Sequence, residues 1–299
     1  MKVLIISGTG FIGTNLCESL SKENYVTVIS QHRHKFCDEI RNVNYILEDW
    51  RDFDYKNLFS KNHFDKIILL GWSDHPRSSN KKIYESFNLN VVTNIKIIDM
   101  IFQYSKAEIY FLSSFGALSQ IDSSYKNQLI SGYSAGKLTI ETFLETYSKI
   151  FKRKSLSIRL SNPFGRYQDP CGSQGVIAIF IGNAIKKKQI DIFETEGAKK
   201  DYIYINKVSE IISRIIAEPQ KNFFEVKEVK SGKVFSVLDI AAHINFHISI
   251  IDLVPKKLKD LINERTKKLN MIFEKNKDID EQAFSSEILS TINWIKKIN

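Results

Sequence analysis

A tyrosine and a lysine four residues apart give this sequence its clearest catalytic signal. Tyr133 and Lys137 stand in the segment Tyr-Ser-Ala-Gly-Lys, so on a helix they lie one turn apart on the same face. A phenol with a pKa of about 10 is a weak base at neutral pH, but a nearby ammonium favours the phenolate. We therefore expect Lys137 to lower the pKa of Tyr133. The phenol could then exchange a proton with a substrate hydroxyl.

Two serines at the end of an apolar, strand-like segment could complete this site. Ser113 and Ser114 follow Ile-Tyr-Phe-Leu, and a hydroxyl at that point could polarise the reacting oxygen. A tyrosine and a lysine at this spacing also occur often by chance. Here, however, a glycine motif near residue 10 comes first, and the two serines lie between it and the Tyr–Lys pair. This ordered combination favours a catalytic site over a chance occurrence.

The glycine motif lies between a strand-like segment and a helical one near the start of the chain. Its spacing is G-x-G-x-x-G, in which glycines permit a tight turn and a close approach of the backbone to a pyrophosphate. The helix that follows would direct free N–H groups at the phosphates. In this context we predict a dinucleotide-binding loop made of Gly8, Gly10, Phe11, Ile12 and Gly13.

The end of the second predicted strand bears on the choice between NAD and NADP. An acid usually binds the adenine ribose of NAD there, but this sequence has Ser30 followed by Gln-His-Arg-His-Lys. No carboxylate stands at that point, whereas Arg33 and its basic neighbours could bind a 2′-phosphate. The alternative is an exposed basic turn. The predicted cofactor is NAD(P), with a slight preference for NADP.

The motifs must be held in place by strands and helices. Along the chain, strand-like segments alternate with amphipathic helical segments. Strands are predicted at Val3–Ile6, Val26–Ile29, Lys66–Leu70, Ile109–Leu112 and Leu156–Leu160, and helices at Phe11–Leu20, Asn90–Tyr104 and Ile140–Phe151. Such alternation predicts a doubly wound α/β fold with a parallel sheet and ligands at the carboxyl ends of its strands. We expect a Rossmann domain over residues 1–168. Residues 169–299 would form mainly a smaller substrate-binding lobe, with some segments returning to the Rossmann domain.

Composition limits the classes of function. No apolar stretch is long enough for a signal peptide or a membrane span, so we expect no membrane association. Three widely spaced cysteines favour reduced thiols in the cytoplasm, and His243 and His247 are interpreted as a packing or surface pair rather than a metal site. The 43 basic residues are interleaved with 34 acidic ones, so the net charge of +9 favours a phosphorylated small substrate over nucleic acid.

Taken in order, these motifs resemble the extended short-chain dehydrogenase/reductase family, specifically its NAD-dependent epimerase/dehydratase branch that acts on nucleotide sugars. The resemblance spans residues 1 to about 215. It implies that Ser114, Tyr133 and Lys137 are catalytic, that Ser114 and Tyr133 also contact the substrate, and that Lys137 also binds the cofactor. It further implies a homodimer, which the apolar helix faces near residues 90–104 and 138–151 could supply.

Further residues gain a role only from this resemblance. Asp49 falls where the family contacts adenine, and Asn90 falls on a structural asparagine behind the site. Asn162 and Lys200 match positions near the diphosphate of the substrate nucleotide. The family usually has arginine at the second of these, and lysine keeps the charge but loses the bidentate geometry.

The sequence also departs from the family pattern. Trp72 stands after the fourth strand, where small residues are usual, and is expected to shape a different pocket. His75 could touch the substrate, or could simply be a turn residue before proline. Phe115 and Gly116 replace the Asp-Glu pair with which dehydratases of this family eliminate water, which argues against dehydration.

Three functional hypotheses follow. The first is a nucleotide-sugar 4-epimerase that oxidises and re-reduces the sugar carbon. The second is an NADPH-dependent 4-ketoreductase using the same residues once per turnover, which the basic turn after Ser30 favours. The third, from another class, is a non-catalytic NAD(P)-binding sensor or scaffold subunit, which would not need Ser114, Tyr133 and Lys137 together.

Overall fold

Strands and helices alternate along most of the chain, as the hydrophobic pattern predicts. The computed structural model describes residues 1–74, 76–116, 131–192, 199–275 and 277–298. Its strands are β1 (Lys2–Ile6), β2 (Tyr25–Ile29), β3 (Val43–Ile46), β4 (Lys66–Leu69), β5 (Glu108–Ser114), β6 (Ser155–Leu160), β7 (Asn162–Phe164), β8 (Lys199–Tyr204), β9 (Phe224–Val229) and β10 (Val234–Ser236).

The helices vary from single turns to about five turns. They are α1 (Phe11–Leu20), α2 (Tyr55–Lys61), α3 (Pro76–Ser79), α4 (Ile83–Ser86), α5 (Thr93–Tyr104), α6 (Gly132–Phe151), α7 (Val176–Ile185), α8 (Ile205–Ala217), α9 (Val237–His247), α10 (Lys259–Glu274) and α11 (Ile279–Ile298). A π-helical turn, Phe87–Val92, leads into α5, and a 3₁₀ turn, Lys256–Leu258, leads into α10.

The main sheet has the strand order β3-β2-β1-β4-β5-β6-β9, and all of its pairings are parallel. The predicted doubly wound α/β fold is therefore confirmed. The strand order reverses between β1 and β4, so the loops that follow these two strands flank a crevice at the carboxyl edge of the sheet. In open α/β sheets this is the usual ligand site.

The chain divides into two compact units. The first contains Met1–Ser161 and Ser209–Val229, and the second contains Asn162–Val208 and Lys230–Asn299. The core of the first unit is built from the buried faces of the large sheet and its helices. The second unit has a core of its own around Phe164, Phe235 and Phe284, beside a small sheet of order β10-β8-β7.

Two strands of the main sheet lie outside the predicted set. β3 is short and only partly buried, so its sequence, Val-Asn-Tyr-Ile, carries little periodicity. β9 is an edge strand with the sequence Phe-Glu-Val-Lys-Glu-Val, and β6 is its partner in the sheet. The predicted helix from Asn90 also begins differently, because its first turn is π-helical.

No helix within the described parts of the chain is both long enough and apolar enough to cross a membrane.

Candidate active site

The glycine loop joins β1 to α1 at the carboxyl edge of the sheet. A Cβ added to Gly13 would lie 2.4 Å from the carbonyl oxygen of Gly8, and one added to Gly8 would lie 2.9 Å from side-chain atoms of Ile5 and Val28. These two glycines are therefore required by close packing of helix and strand. Gly10 is the N-cap of α1, and a Cβ there would meet nothing among the described atoms within 4 Å.

This geometry fits a dinucleotide pyrophosphate. Because Gly10 has no side chain, the amide groups at the start of α1, where Phe11 and Ile12 lie, are left to bind an anion. The open space beside Gly10 is the cradle that a phosphate would occupy. The loop thus has the amide donors and the room that the predicted cofactor needs.

Thr9 and Ser30 tie the loop to the end of β2. Their hydroxyl oxygens lie 2.5 Å apart, and the Thr9 hydroxyl also donates to the carbonyl oxygen of His32 at 2.6 Å. Ser30 itself is buried. Sequence reasoning missed Thr9, although its position inside the glycine motif places it against the end of the neighbouring strand.

Arg33 is paired with a carboxylate from further along the chain. Arg33 forms an ion pair with Glu39, and its guanidinium carbon lies 5.7 Å from the centroid of the Tyr45 ring. The strand end itself carries no carboxylate, as the sequence indicates, but the chain folds back after Arg33 and brings Glu39 to it. The groove at this point is lined by Thr9, Thr14, Arg33, His34, Cys37, Asp38, Glu39 and Tyr45.

Asp49 is held by a neighbouring arginine. Arg51 donates from Nε to one carboxylate oxygen at 2.8 Å and from its terminal nitrogen to the other at 2.5 Å. These hydrogen bonds hold the pKa of Asp49 below its ordinary value. The carboxylate is thus ionised and fixed in place at the end of the segment that follows β3.

The catalytic candidates meet where β5 ends and α6 begins. Ser131 caps α6 by accepting from the amide of Ser134 at 3.1 Å, so Tyr133 lies in the first turn. The Tyr133 amide donates to the hydroxyl of the buried Ser79 at 3.0 Å. Ser114, at the end of β5, lies beside the Tyr133 phenol and acts to lower its pKa.

Lys137 lies one turn further along α6 and is buried. Its ammonium donates to the carbonyl oxygen of Leu112 at 2.8 Å and lies 5.7 Å from the centroid of the Tyr133 ring. The structure thus brings Ser114, Tyr133 and Lys137 together, with Ser114 rather than Ser113 at the phenol. Ser113 is buried, and its hydroxyl has no hydrogen-bond partner in the described part of the protein.

The electrostatics of this pair differ from the sequence prediction. Desolvation raises the pKa of Tyr133, and the hydrogen bond with Ser114 offsets this only in part. Burial also lowers the pKa of Lys137 to about 7, against the opposing influence of the Glu141 charge. The expectation of a lowered pKa for Tyr133 is therefore wrong, because desolvation by burial outweighs the interactions that favour the phenolate.

The segment after β4 forms one wall of this site. Buried Asn90 accepts from the amide of Ser73 at 2.6 Å and donates to Asp74 at 2.7 Å, while Asn94 donates to the carbonyl oxygen of Gly71 at 3.0 Å. These bonds fix the backbone on both sides of Trp72. His75 lies outside the described residues.

The two remaining site predictions lie in the second unit. Asn162 is on β7 and Lys200 is on the adjacent strand β8, and both residues are exposed. The Asn162 amide donates to the carbonyl oxygen of Asp201 at 2.8 Å. The two predicted diphosphate contacts therefore lie on adjacent strands of this unit's small sheet, where Asn162 is in register with Tyr202.

The histidine pair of α9 also lies in the second unit, inside its packing. His243 is buried and its Nε2 lies 2.8 Å from a carboxylate oxygen of Glu281 on α11, while His247 lies 2.9 Å from the Ser285 hydroxyl. The acid beside His243 comes from a distant part of the chain, so the local sequence could not reveal it.

A family model and two relatives match this chain in sequence. The model of the NAD-dependent epimerase/dehydratase family matches residues 3–226. A putative UDP-glucose 4-epimerase of Methanocaldococcus jannaschii is 27% identical over 254 residues, covering 81% of each chain. A dTDP-4-dehydro-6-deoxyglucose reductase of Escherichia coli is 29% identical over 219 residues, covering 68% of this chain and 69% of its own.

Among solved structures, the UDP-N-acetylglucosamine 4-epimerase of Methanobrevibacter ruminantium, crystallised with UDP-N-acetylmuramic acid, is similar over the whole chain. Its TM-score is 0.79 at 20% identity, and the match covers 100% of this chain and 99% of that one. At 20% identity, this structural similarity shows only the fold. The family model matches well over half of the sequence, and this match shows the family. The chain therefore belongs to the NAD-dependent epimerase/dehydratase family.

Proposed function

We propose that this protein is an NAD(P)-dependent nucleotide-sugar 4-epimerase. The observation that carries the proposal is that Ser114, at the end of β5, and Tyr133 and Lys137, on α6, come together, with the Lys137 amine 5.7 Å from the centroid of the phenol ring. These groups can move a proton to and from a sugar hydroxyl. They lie in the same unit as the glycine loop, on a sheet whose carboxyl edge is the usual ligand site for this fold.

In this mechanism Tyr133 exchanges the proton of the C4 hydroxyl. Ser114 donates to the same sugar oxygen and holds it at the phenol. The glycine loop, with Gly8, Gly10 and Gly13, would hold an NAD(P) dinucleotide, whose nicotinamide would supply reversible hydride transfer at the sugar carbon. The raised pKa of Tyr133 keeps the phenol protonated at neutral pH, so it can donate this proton to a keto oxygen. The charged form of Lys137 favours the phenolate needed in the oxidative half.

The nucleotide of the substrate would be bound by the second unit. Asn162 and Lys200 offer an amide and an ammonium on adjacent strands, and both groups are suited to phosphate oxygens. We propose that they hold the diphosphate, as the family resemblance implies. We also propose that the enzyme works in the cytoplasm as a homodimer.

The second candidate is an NADPH-dependent 4-ketoreductase. Two observations favour it: the basic segment His-Arg-His-Lys at 32–35, and the reductase of Escherichia coli among the relatives. The same three side chains would serve, with Tyr133 donating its proton to the keto oxygen once per turnover. Net reduction consumes one NADPH per product, whereas epimerisation consumes none.

The test is to incubate the purified protein with UDP- and dTDP-hexoses and follow the sugar by NMR and the cofactor by absorbance at 340 nm. We expect interconversion of the C4 epimers without net change in absorbance. Stoichiometric loss of NADPH with a 4-keto sugar would instead establish the ketoreductase.

Tyr133→Phe is the matched variant, because it keeps the ring and removes only the phenol oxygen. We expect it to lose at least about 100-fold in turnover while binding NAD(P) with unchanged affinity. A variant that turns over at the wild-type rate would exclude Tyr133 as the proton-transferring group. If the Tyr133→Phe protein acts in cells as well as the wild type does, a sensor or scaffold role is the better explanation.

The choice between NAD and NADP depends, in this proposal, on Arg33 and Glu39. A 2′-phosphate on the adenine ribose would have to compete with Glu39 for the Arg33 guanidinium. We therefore expect Glu39→Gln to improve NADP affinity relative to NAD by about tenfold, and Arg33→Gln to do the reverse. Isothermal titration of both cofactors into the three proteins measures this. An unchanged ratio of the two dissociation constants in both variants would show that the ribose lies elsewhere.

A further inference from the structure

Trp72 contacts both members of the candidate catalytic pair. The Lys137 ammonium lies 4.1 Å from the centroid of the indole ring, and the Tyr133 ring meets the indole edge to face at a centroid distance of 5.5 Å and an angle of 76°. The Tyr133 ring is further from the ammonium, at 5.7 Å. Of these two rings, the indole therefore lies closer to the Lys137 ammonium.

Two features at and around Trp72 lower the stability of the folded protein. Its indole N–H is buried and has no acceptor among the described residues, and a buried unpaired donor costs about 1–3 kcal/mol. Gly136, in the interior of α6, costs about 1 kcal/mol relative to alanine. A Cβ on Gly136 would lie 3.0 Å from the indole and 2.9 Å from the Val91 side chain, so the glycine makes room for Trp72.

We propose that Trp72 is a positioning residue for the catalytic pair: its indole face holds the Lys137 ammonium, and its edge fixes the ring of Tyr133. This inference rests on the proposed function for its catalytic meaning. An aromatic face attracts a cation through its quadrupole, and the attraction is strongest where water is excluded. Trp72 thus supplies, without a counter-charge, part of the stabilisation that burial removes from the amine.

The other groups around the amine do not replace this contact. The Leu112 carbonyl accepts one hydrogen bond at 2.8 Å, and the Phe111 ring centroid lies 4.7 Å from the ammonium on the β5 side. Glu141, one turn along α6, is the carboxylate that acts on Lys137, and it is already paired with Arg159 on β6. The phenol of Tyr133 is the remaining titratable neighbour on the same helix.

The direct test measures the protonation of Lys137 without relying on any reaction. The whole protein is labelled with ¹³Cε-lysine and titrated by NMR, and Lys137→Met assigns the resonance. We expect the pKa of Lys137 to fall by about one unit in Trp72→Leu and by less in Trp72→Phe, which keeps an aromatic face. Trp294→Leu, which removes an indole in the second unit, is expected to leave the resonance unchanged. An unchanged or higher pKa in folded Trp72→Leu would overturn the proposal.

A second variant covers the case in which Trp72→Leu does not fold. Gly136→Ala keeps the indole but pushes it with the new methyl group, and it is expected to lower the pKa of Lys137 in the same direction. If Trp72→Phe and Gly136→Ala both titrate as the wild type does, Trp72 has no role in holding the charge.

The catalytic part of the inference has a separate readout. If the epimerase assay succeeds, the pH profile of kcat should move in Trp72→Leu by the same amount and in the same direction as the NMR pKa. A loss of turnover with an unmoved profile would reveal a merely structural tryptophan. If no nucleotide sugar reacts with the wild type, the proposed function fails, while the NMR titration still decides whether Trp72 stabilises the ammonium.

Discussion

At the scale of single residues, burial decides the behaviour of the candidate catalytic groups more than their neighbours in sequence do. The spacing of Tyr133 and Lys137 correctly predicted that they share a helix face, and the serine was correctly placed at a strand end. The direction of the pKa shift of Tyr133 was not predictable, because desolvation depends on atoms from β5 and from the segment after β4. The Arg33–Glu39 pair escaped prediction for a similar reason: it depends on a turn of the chain and not on a periodic pattern.

The first prediction at this scale concerns the cost of burying Lys137. Its folded pKa is lowered to about 7 from an ordinary value of 10.5, so below pH 7 the folded protein must hold a charged amine in a poorly solvated site. Lys137→Met removes that charge and keeps the length of the side chain. We expect it to raise the free energy of unfolding near pH 6.5 by on the order of a few kcal/mol.

The sign of the pH dependence follows from proton binding. Between pH 7 and 10.5 the unfolded wild type carries a proton that the folded form has released, so its stability rises with pH. The advantage of Lys137→Met should therefore shrink from pH 6.5 to pH 9.5 in urea unfolding. Lys149→Met, at an exposed position paired with Glu145, is the control and should change stability by less than about 0.5 kcal/mol. Equal stability of wild type and Lys137→Met at pH 6.5 would contradict this account.

At the scale of elements, the strongly apolar strands and the long helices were predictable, and the weak edge elements were not. β1, β4 and β5 are buried on both faces, so they read as continuous apolar runs. β3 and β9 each have one strand neighbour and an exposed side, and their mixed sequences give no such signal. The π-helical turn before α5 was also not predicted. There Asn90 bonds to Ser73 and Asp74, in the segment after β4, and these contacts leave no periodic signal in the sequence.

The glycine loop yields a prediction with an internal control. In Gly13→Ala the new methyl group collides with the backbone of Gly8, so we expect a loss of about 1–3 kcal/mol in the free energy of unfolding. In Gly10→Ala the methyl group meets no described atom within 4 Å, and stability should stay near that of the wild type. The same methyl group occupies the proposed phosphate cradle, so NAD(P) affinity should fall by at least about tenfold.

Urea unfolding and calorimetric titration with NAD and NADP separate these effects. Wild-type affinity in Gly10→Ala would mean that the pyrophosphate is bound elsewhere. A Gly13→Ala protein as stable as the wild type would mean that the loop can open without cost.

At the scale of the whole molecule, exposed apolar residues on α6 bear on the proposed homodimer. Phe143 and Ile150 are 41% and 69% exposed, and Val92, on the π-helical turn, is 47% exposed. Residues of this kind at one helix surface indicate a protein interface more readily than a solvated face. Sequence periodicity identified α6 as a helix, but it could not separate its core positions from its exposed apolar ones.

We expect the pair of substitutions Phe143→Glu and Ile150→Glu to convert a dimer to a monomer, measured by light scattering coupled to size exclusion. Ile279→Glu changes a residue that is 79% exposed on α11, and it should leave the mass unchanged. A wild type that elutes as a monomer, or a doubly substituted protein that remains dimeric, would rule out this face as the interface.

The position of β9 at the edge of the main sheet affects how the protein folds while it is being synthesised on the ribosome. β6 is complete at Leu160, but its parallel neighbour is not synthesised until Val229, after the first part of the second unit has emerged. During that interval the outer edge of β6 presents unpaired amide and carbonyl groups that any other extended chain could take. Synthesis from the N-terminus therefore leaves the first unit open on one side, and chaperones that shield sheet edges should matter most while residues 161–229 are being made.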